Sequence, residues 1–239
     1  MILDSKIESM LKSKRYGIFV LLIIFFPGFL YADSNNQIWP ELNVYYKFNP
    51  QFRIRLAEGV TRSSESSDAA DGFLETDLDF SLKLSFKRKL LLRDLDRNKT
   101  QSFRVGYSYV RSFAEDDPSK ENRLILESTS RLPKGSFLLS DRNRFDFRRI
   151  DGEDSKRYRN RLRVESESAI RKFQLVPYAM VEFYYDIDEH DWNRIEYSFG
   201  SEFPILKQSI LELYYLRQAN SSGTDINAFG VVLQFHLGN

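Results

Sequence analysis

The chain has 239 residues, of which 42% are hydrophobic and 15% aromatic, and its formal net charge is +1. It contains no cysteine, which excludes disulfides, thiol catalysis, zinc–thiolate sites and a lipid-anchored cysteine. Bases and acids nearly balance, so a nucleic-acid partner has no electrostatic motive.

The N-terminal stretch reads as a targeting segment. Lys12, Lys14 and Arg15 form a basic n-region, "YGIFVLLIIFFPGFL" from Tyr16 is an apolar h-region, and "LYA" before Asp33 ends on a small residue suited to cleavage. Pro27 and Gly28 interrupt an apolar run already shorter than the roughly 20 residues of a membrane-spanning helix. Residues 1–32 are therefore expected to be a cleaved signal peptide, and residues 33–239 the folded domain. Cleavage leaves 31 bases against 32 acids.

From residue 33 onward the period is two. In "FLETDLDFSLKLSF", Leu74, Leu78, Phe80, Leu82, Leu84 and Phe86 point one way, while Glu75, Asp77, Asp79, Ser81, Lys83 and Ser85 point the other. The same alternation predicts strands near 38–48, 51–62, 73–86, 102–112, 122–131, 136–149, 156–169, 173–185, 192–201, 208–218 and 226–237. Tight connections such as "NPQ", "LPKG", "RK" and "PILKQ" alternate with longer polar ones such as "SSESSDAADG", "AEDDPSKE", "DGEDSK", "DIDEHD" and "ANSSGTD".

Short turns at one rim, long polar loops at the other and strands of about ten residues predict an all-β fold: an up-and-down antiparallel transmembrane β-barrel of the outer membrane. A C-terminus in the periplasm puts the long loops outside. Hydrocarbon demands closure, because an open edge leaves backbone groups unpaired at several kcal/mol each. Eleven segments conflict with the even count usual for such barrels, so twelve strands are expected, with ten as the alternative. The basic stretch "KRKLLLRDLDRNKT" at 87–100 is the candidate for the missing one. Aromatics near strand ends, among them Trp39, Tyr45, Tyr46, Phe48, Phe52, Tyr184, Tyr185 and Trp192, fit interfacial girdles.

The ordered motifs "WPELNVYYKFNPQFRIRL", "LLLRDLDRNKTQSFRVGYSYV", "ENRLILESTSRLPKGSFLLSDRNRFDFR", "RYRNRLRVE", "VPYAMVEFYYD", "WNRIEYSFGSEFP", "LELYYLRQ" and "NAFGVVLQF" resemble the bacterial outer-membrane family called domain of unknown function 2490. The resemblance runs from about Trp39 to Phe235. It implies a signal-bearing outer-membrane barrel and no established activity, ligand or catalytic residue. Such barrels commonly close on an aromatic residue, whereas here "HLGN" follows Phe235.

In "RNRFDFRRIDGEDSKRYRNRLRVE", Arg142, Arg144 and Arg148 share one face of a strand. Arg157, Arg159, Arg161 and Arg163 share one face of the next, and Phe145, Phe147, Leu162 and Val164 lie opposite, toward lipid. Arginine on the lipid side would cost about 2–4 kcal/mol near the midplane, so these seven are expected to line the lumen. Facing them are Glu75, Asp77, Asp79, Glu182, Glu196 and Glu212, with Asp146, Glu165 and Glu167 as further acids. Two roles follow: a salt-bridged plug, or a guanidinium strip that guides small anionic solutes through a narrow porin-like channel.

The alternative class is a hydrolase using His190, in "DIDEHDW", with a loop carboxylate among Asp186, Asp188, Glu189 and Asp191 to activate water. No nucleophile motif stands beside His190 or His236, and neither a cofactor nor a metal site is expected. The expected partners are outer-membrane lipid and the assembly machinery, with small anionic solutes as candidates.

Overall fold

In the computed structural model, which describes residues 36–62, 70–82, 97–112, 119–166, 168–170, 173–223 and 225–238, each of the eleven alternating segments contributes a strand, with residues 83–86 of the third lying outside the described residues. In chain order they are β1 (Asn36–Lys47), β2 (Phe52–Arg62), β3 (Ala70–Ser81), β4 (Gln101–Ser112), β5 (Lys120–Lys134), β6 (Phe137–Ile150), β7 (Glu153–Ser166), β8 (Ser168–Ile170), β9 (Phe173–Asp186), β10 (Asp191–Leu206), β11 (Ser209–Asn220) and β12 (Ile226–Gly238). The three-residue β8 continues the pairing of β7 with β9 in the same register, from Glu165↔Tyr178 to Ser168↔Leu175, so β7 and β8 make one stave. The proposed signal peptide, the loop acids at 63–69 and 113–118, and Glu167 lie outside the described residues.

Consecutive strands pair antiparallel, β9 joins β10, and β12 pairs with β1 to close the ring. The wall therefore has eleven staves, not the expected twelve or ten. An odd number forces one parallel seam, and that seam is β1–β12, in register from Asn36↔Asn227 to Lys47↔Gly238. The even-number expectation assumed that both ends of the barrel share a rim. Here β1 begins at the long-loop rim, while β12 ends at the tight-turn rim. Of the 87–100 stretch proposed for a further strand, residues 87–96 lie outside the described residues. β3 and β4 pair directly from Asp71↔Ser112 to Ser81↔Ser102, and their other edges are taken by β2 and β5.

Local chemistry sets the turns. Asp151 (φ 49°) and Gly152 (φ 102°) connect β6 to β7, the pair of left-handed residues that a type I′ hairpin needs and that Asp-Gly supplies most cheaply. Between β1 and β2, the Asn49 side-chain oxygen accepts the N–H groups of Gln51 (2.9 Å) and Phe52 (3.0 Å), an Asx turn at Asn-Pro. One close approach requires glycine: Tyr214 on β11 sits in register between Gly200 and Gly230, and a Cβ on Gly230 would lie 1.9 Å from its ring.

Alternation sorts the two faces of the wall. On β3, Glu75, Asp77 and Asp79 are buried, whereas Leu74 and Leu78 are about half exposed on the outside. Leu56, Val105, Phe145, Leu162, Phe199 and Phe229 continue that apolar exterior around the ring. Polar groups on the outer face of β6 and β7 satisfy one another. Asn160 donates to Asp141 (2.7 Å) and Asn143 (3.1 Å), and the Tyr158 hydroxyl donates to Asn143 (2.6 Å). Tyr46, Phe48 and Phe52 face outward at the tight-turn rim, and Trp192 meets Tyr185 (5.0 Å between centroids) at the other. Three of the proposed girdle aromatics turn inward instead. Trp39 packs against Leu216, Ile226 and Ala228, Tyr45 lies under Arg53, and Tyr184 is buried in the lumen. Parity decided this: their strand positions are even-spaced with lumen residues, and closeness to a strand end does not override that.

Candidate functional site

The lumen is filled by charged side chains, and its centre is Glu182 on β9, fully buried. Arg142 from β6 donates to one of its oxygens at 2.7 Å, Arg159 from β7 to the same oxygen at 2.8 Å, and Arg161 to the other at 2.7 Å. The register explains the convergence: Arg161 stands directly across from Glu182 and Arg159 one inward position away. Three charge-assisted bonds on one carboxylate use nearly all its acceptor capacity. Tyr184 extends the cluster, accepting Arg159 at 2.8 Å while its ring lies 4.5 Å from the same guanidinium.

From Glu182 the network runs through Arg142 to Glu127 (3.5 Å), on to Arg104 (3.9 Å), and from Arg104 to Asp79 (2.6 Å), which also accepts Arg53 (2.9 Å). Arg55 bridges Asp77 (2.6 Å) and Glu75, and Arg144 joins Asp146 (2.6 Å) to Glu75 (3.6 Å). Chains of this kind across seven staves satisfy the desolvation demand that an isolated buried pair leaves open.

Toward the tight-turn rim a second cluster surrounds Arg163, which pairs with Glu165 (2.9 Å), Glu202 and Glu212 (3.7 Å) and stacks over Tyr178 at 3.7 Å. Glu212 in turn accepts the Tyr178 hydroxyl (2.6 Å) and the Gln234 amide (3.1 Å). Into this cluster the β3–β4 connection inserts Arg97, buried, with ion pairs to Glu202 (2.5 Å) and Glu165.

At the long-loop rim, Arg123 (2.9 Å) and Arg148 (2.5 Å) share the single carboxylate of Glu121. Arg157 stands apart: no carboxylate bonds it among the described residues, its Nε has no hydrogen-bond partner, and its one recorded contact is the Tyr184 ring at 5.8 Å.

All thirteen lumen candidates lie on inward faces. The chain of contacts gathers Arg142, Arg144, Arg159, Arg161, Glu75, Asp77, Asp79 and Glu182, while Arg163 and Glu212 belong to the tight-turn cluster and Arg148 to the rim. Glu196 sits in register with Glu182 across β9–β10 and makes no ion pair among the described residues. Sequence reasoning passed over Arg53, Arg55, Arg104 and Glu127, which alternate with outward apolar residues and were open to the same parity argument, and Glu121 and Glu202, which lie just outside the predicted strands 122–131 and 192–201. Arg97 carries no such signal, because it lies in a connection without periodicity.

The hydrolase reading finds no geometry. His190 is exposed at the β9–β10 turn with φ 57°, Asp186 accepts the N–H groups of Asp188 and Glu189, and Asp188 accepts the Lys156 N–H at 2.7 Å. No loop carboxylate orients the imidazole among the described residues. His236 stacks on Tyr45 (4.7 Å, 9°) on the lumen side of β12. No group of three or more potential metal ligands occurs among the described residues.

An eleven-stave wall, apolar outside and ionic inside, defines an outer-membrane-type β-barrel. Within that class, the chain belongs to the DUF2490 family, described as protein of unknown function, whose model matches residues 36–229. Among solved structures it is similar to the β domain of the Bordetella autotransporter BrkA, with a TM-score of 0.49 and 12% sequence identity, covering 78% of this chain and 84% of that one. No curated protein matches it.

Proposed function

We propose that the protein is a structural barrel of the bacterial outer membrane, exported by a cleaved signal peptide over residues 1–32, inserted by the outer-membrane assembly machinery, and closed to free diffusion by its own side chains. The observation that carries this reading is the occupation of the lumen: six of the seven candidate arginines have a carboxylate within 4 Å, three of them on Glu182 alone. A wide porin keeps its charged residues on the wall around water, whereas here guanidinium groups reach acids on non-adjacent staves, as Arg142 on β6 does with Glu182 on β9. Arg97 adds a cross-brace from the β3–β4 connection at the tight-turn end.

The barrel acts through its wall and its rims in this reading, and neither a catalytic step nor a cofactor enters it. Solute efflux from proteoliposomes tests it. Vesicles loaded with chloride and a small sugar are expected to hold both as tightly as vesicles carrying heat-denatured protein. Rapid, selective chloride release would replace this reading with a narrow anion channel.

A further inference from the structure

Among the described residues, Arg157 is the candidate arginine that no carboxylate bonds. The acid opposite it across β7–β9, Asp186, is engaged by its own turn: its Oδ1 accepts the backbone N–H of Asp188 (3.1 Å) and of Glu189 (3.2 Å), and so caps the β9–β10 turn. What faces Arg157 electrostatically is other arginines, namely Arg148, Arg194 and Arg123, with Arg159 below. Of these, Arg123 and Arg148 divide Glu121 between them, Arg159 is committed to Glu182, and Arg194 donates its Nε to Asn220 at 3.1 Å. Arg148 lies near the end of β6, and Arg123, Arg157 and Arg194 near the starts of β5, β7 and β10, so all four stand at one rim. Glu196 is one inward position deeper than Arg194 on β10, level with Glu182.

We propose that Arg157, with Arg123, Arg148 and Arg194 around it, forms an anion-binding vestibule at the long-loop rim that takes a phosphate- or sulfate-class oxyanion. Guanidinium groups suit such a ligand, because their forked N–H donors match tetrahedral oxyanions two at a time. Convergence of like charges with one shared carboxylate is costly without an anion between them and favourable with one. A phosphate could arrive free in solution or on a lipid headgroup, and both present the same oxygens. The vestibule is independent of whether the lumen below conducts.

The test uses the full barrel in detergent micelles, titrated with inorganic phosphate and pyrophosphate by calorimetry. Saturable binding is expected. It should weaken roughly tenfold or more in Arg157→Gln and in Arg123→Gln, which removes a charge without touching Arg157, and stay unchanged in Arg217→Gln, whose exposed pair with Asp225 lies on the outer face. Competition by lipopolysaccharide, absent with phosphatidylcholine, would assign a headgroup as the source; binding that only free phosphate and pyrophosphate compete for would assign a solute. No saturable heat with either anion, or equal affinity in native protein and both vestibule variants, would overturn the proposal.

Discussion

At mid-lumen, Glu182 binds Arg142, Arg159 and Arg161, whereas at the long-loop rim Glu121 serves Arg123 and Arg148 and, among the described residues, nothing acidic bonds Arg157. The residue type and the inward parity are the same at both levels, and β6 and β7 contribute arginines to each. What differs is where the acids point. Glu182 projects straight into the lumen from the middle of β9, while Asp186, two inward positions further along the same strand, is captured by its own turn. Arginine in a barrel is thus structural or available according to a neighbour's local hydrogen bonds, and a count of charges misses the distinction.

The most severe way to break the comparison is Glu182→Ala. It leaves three guanidinium groups facing one another in a closed space and is expected to cost about 3–5 kcal/mol, read as a lower urea midpoint of the folded, heat-modifiable band. Leu162→Arg tests parity itself by adding, next to the inward Arg161, a charge on the outer face. A loss of about 2–4 kcal/mol is expected if Leu162 meets lipid, and almost none if that face meets water. Arg97→Ala removes the cross-brace to Glu165 and Glu202, for an expected loss of about 1.5–3 kcal/mol in the same unfolding series. Arg157→Met sharpens the contrast by its smallness. Its stability should stay within about 0.5 kcal/mol of native or rise, because among the described residues the replaced cation has no carboxylate to lose.

Much of this was legible in the sequence. Strict alternation in "FLETDLDFSLKLSF" assigned β3 and both its faces, and the arginine ladders of β6 and β7 declared the lumen because lipid would not accept them. The connection "DGEDSK" was read as a longer polar loop, whereas β6 and β7 meet through Asp151-Gly152 alone. Pairing partners were not legible, since which acid meets Arg142 depends on the stagger of β6 against β9 around a curved wall, and no local pattern encodes that stagger. The strand number failed for a related reason. Eleven segments were readable, but the closing β1–β12 pair is parallel and joins the two ends of the described chain, so no hairpin signal marks it. Tyr45 and Tyr184 were assigned to girdles by their closeness to strand ends, when the alternation already applied to Glu182 would have turned Tyr184 inward and the same parity along β1 would have turned Tyr45 inward.

The central claim is that ion pairs hold the lumen shut, and single-channel recording of the native protein in a planar bilayer under a salt gradient tests it most directly. The account predicts a silent barrel, stably inserted, with no discrete steps across the voltage range. Regular ohmic steps from the native protein, with a reversal potential favouring anions, would contradict it and make the arginines around Glu182 the lining of a path.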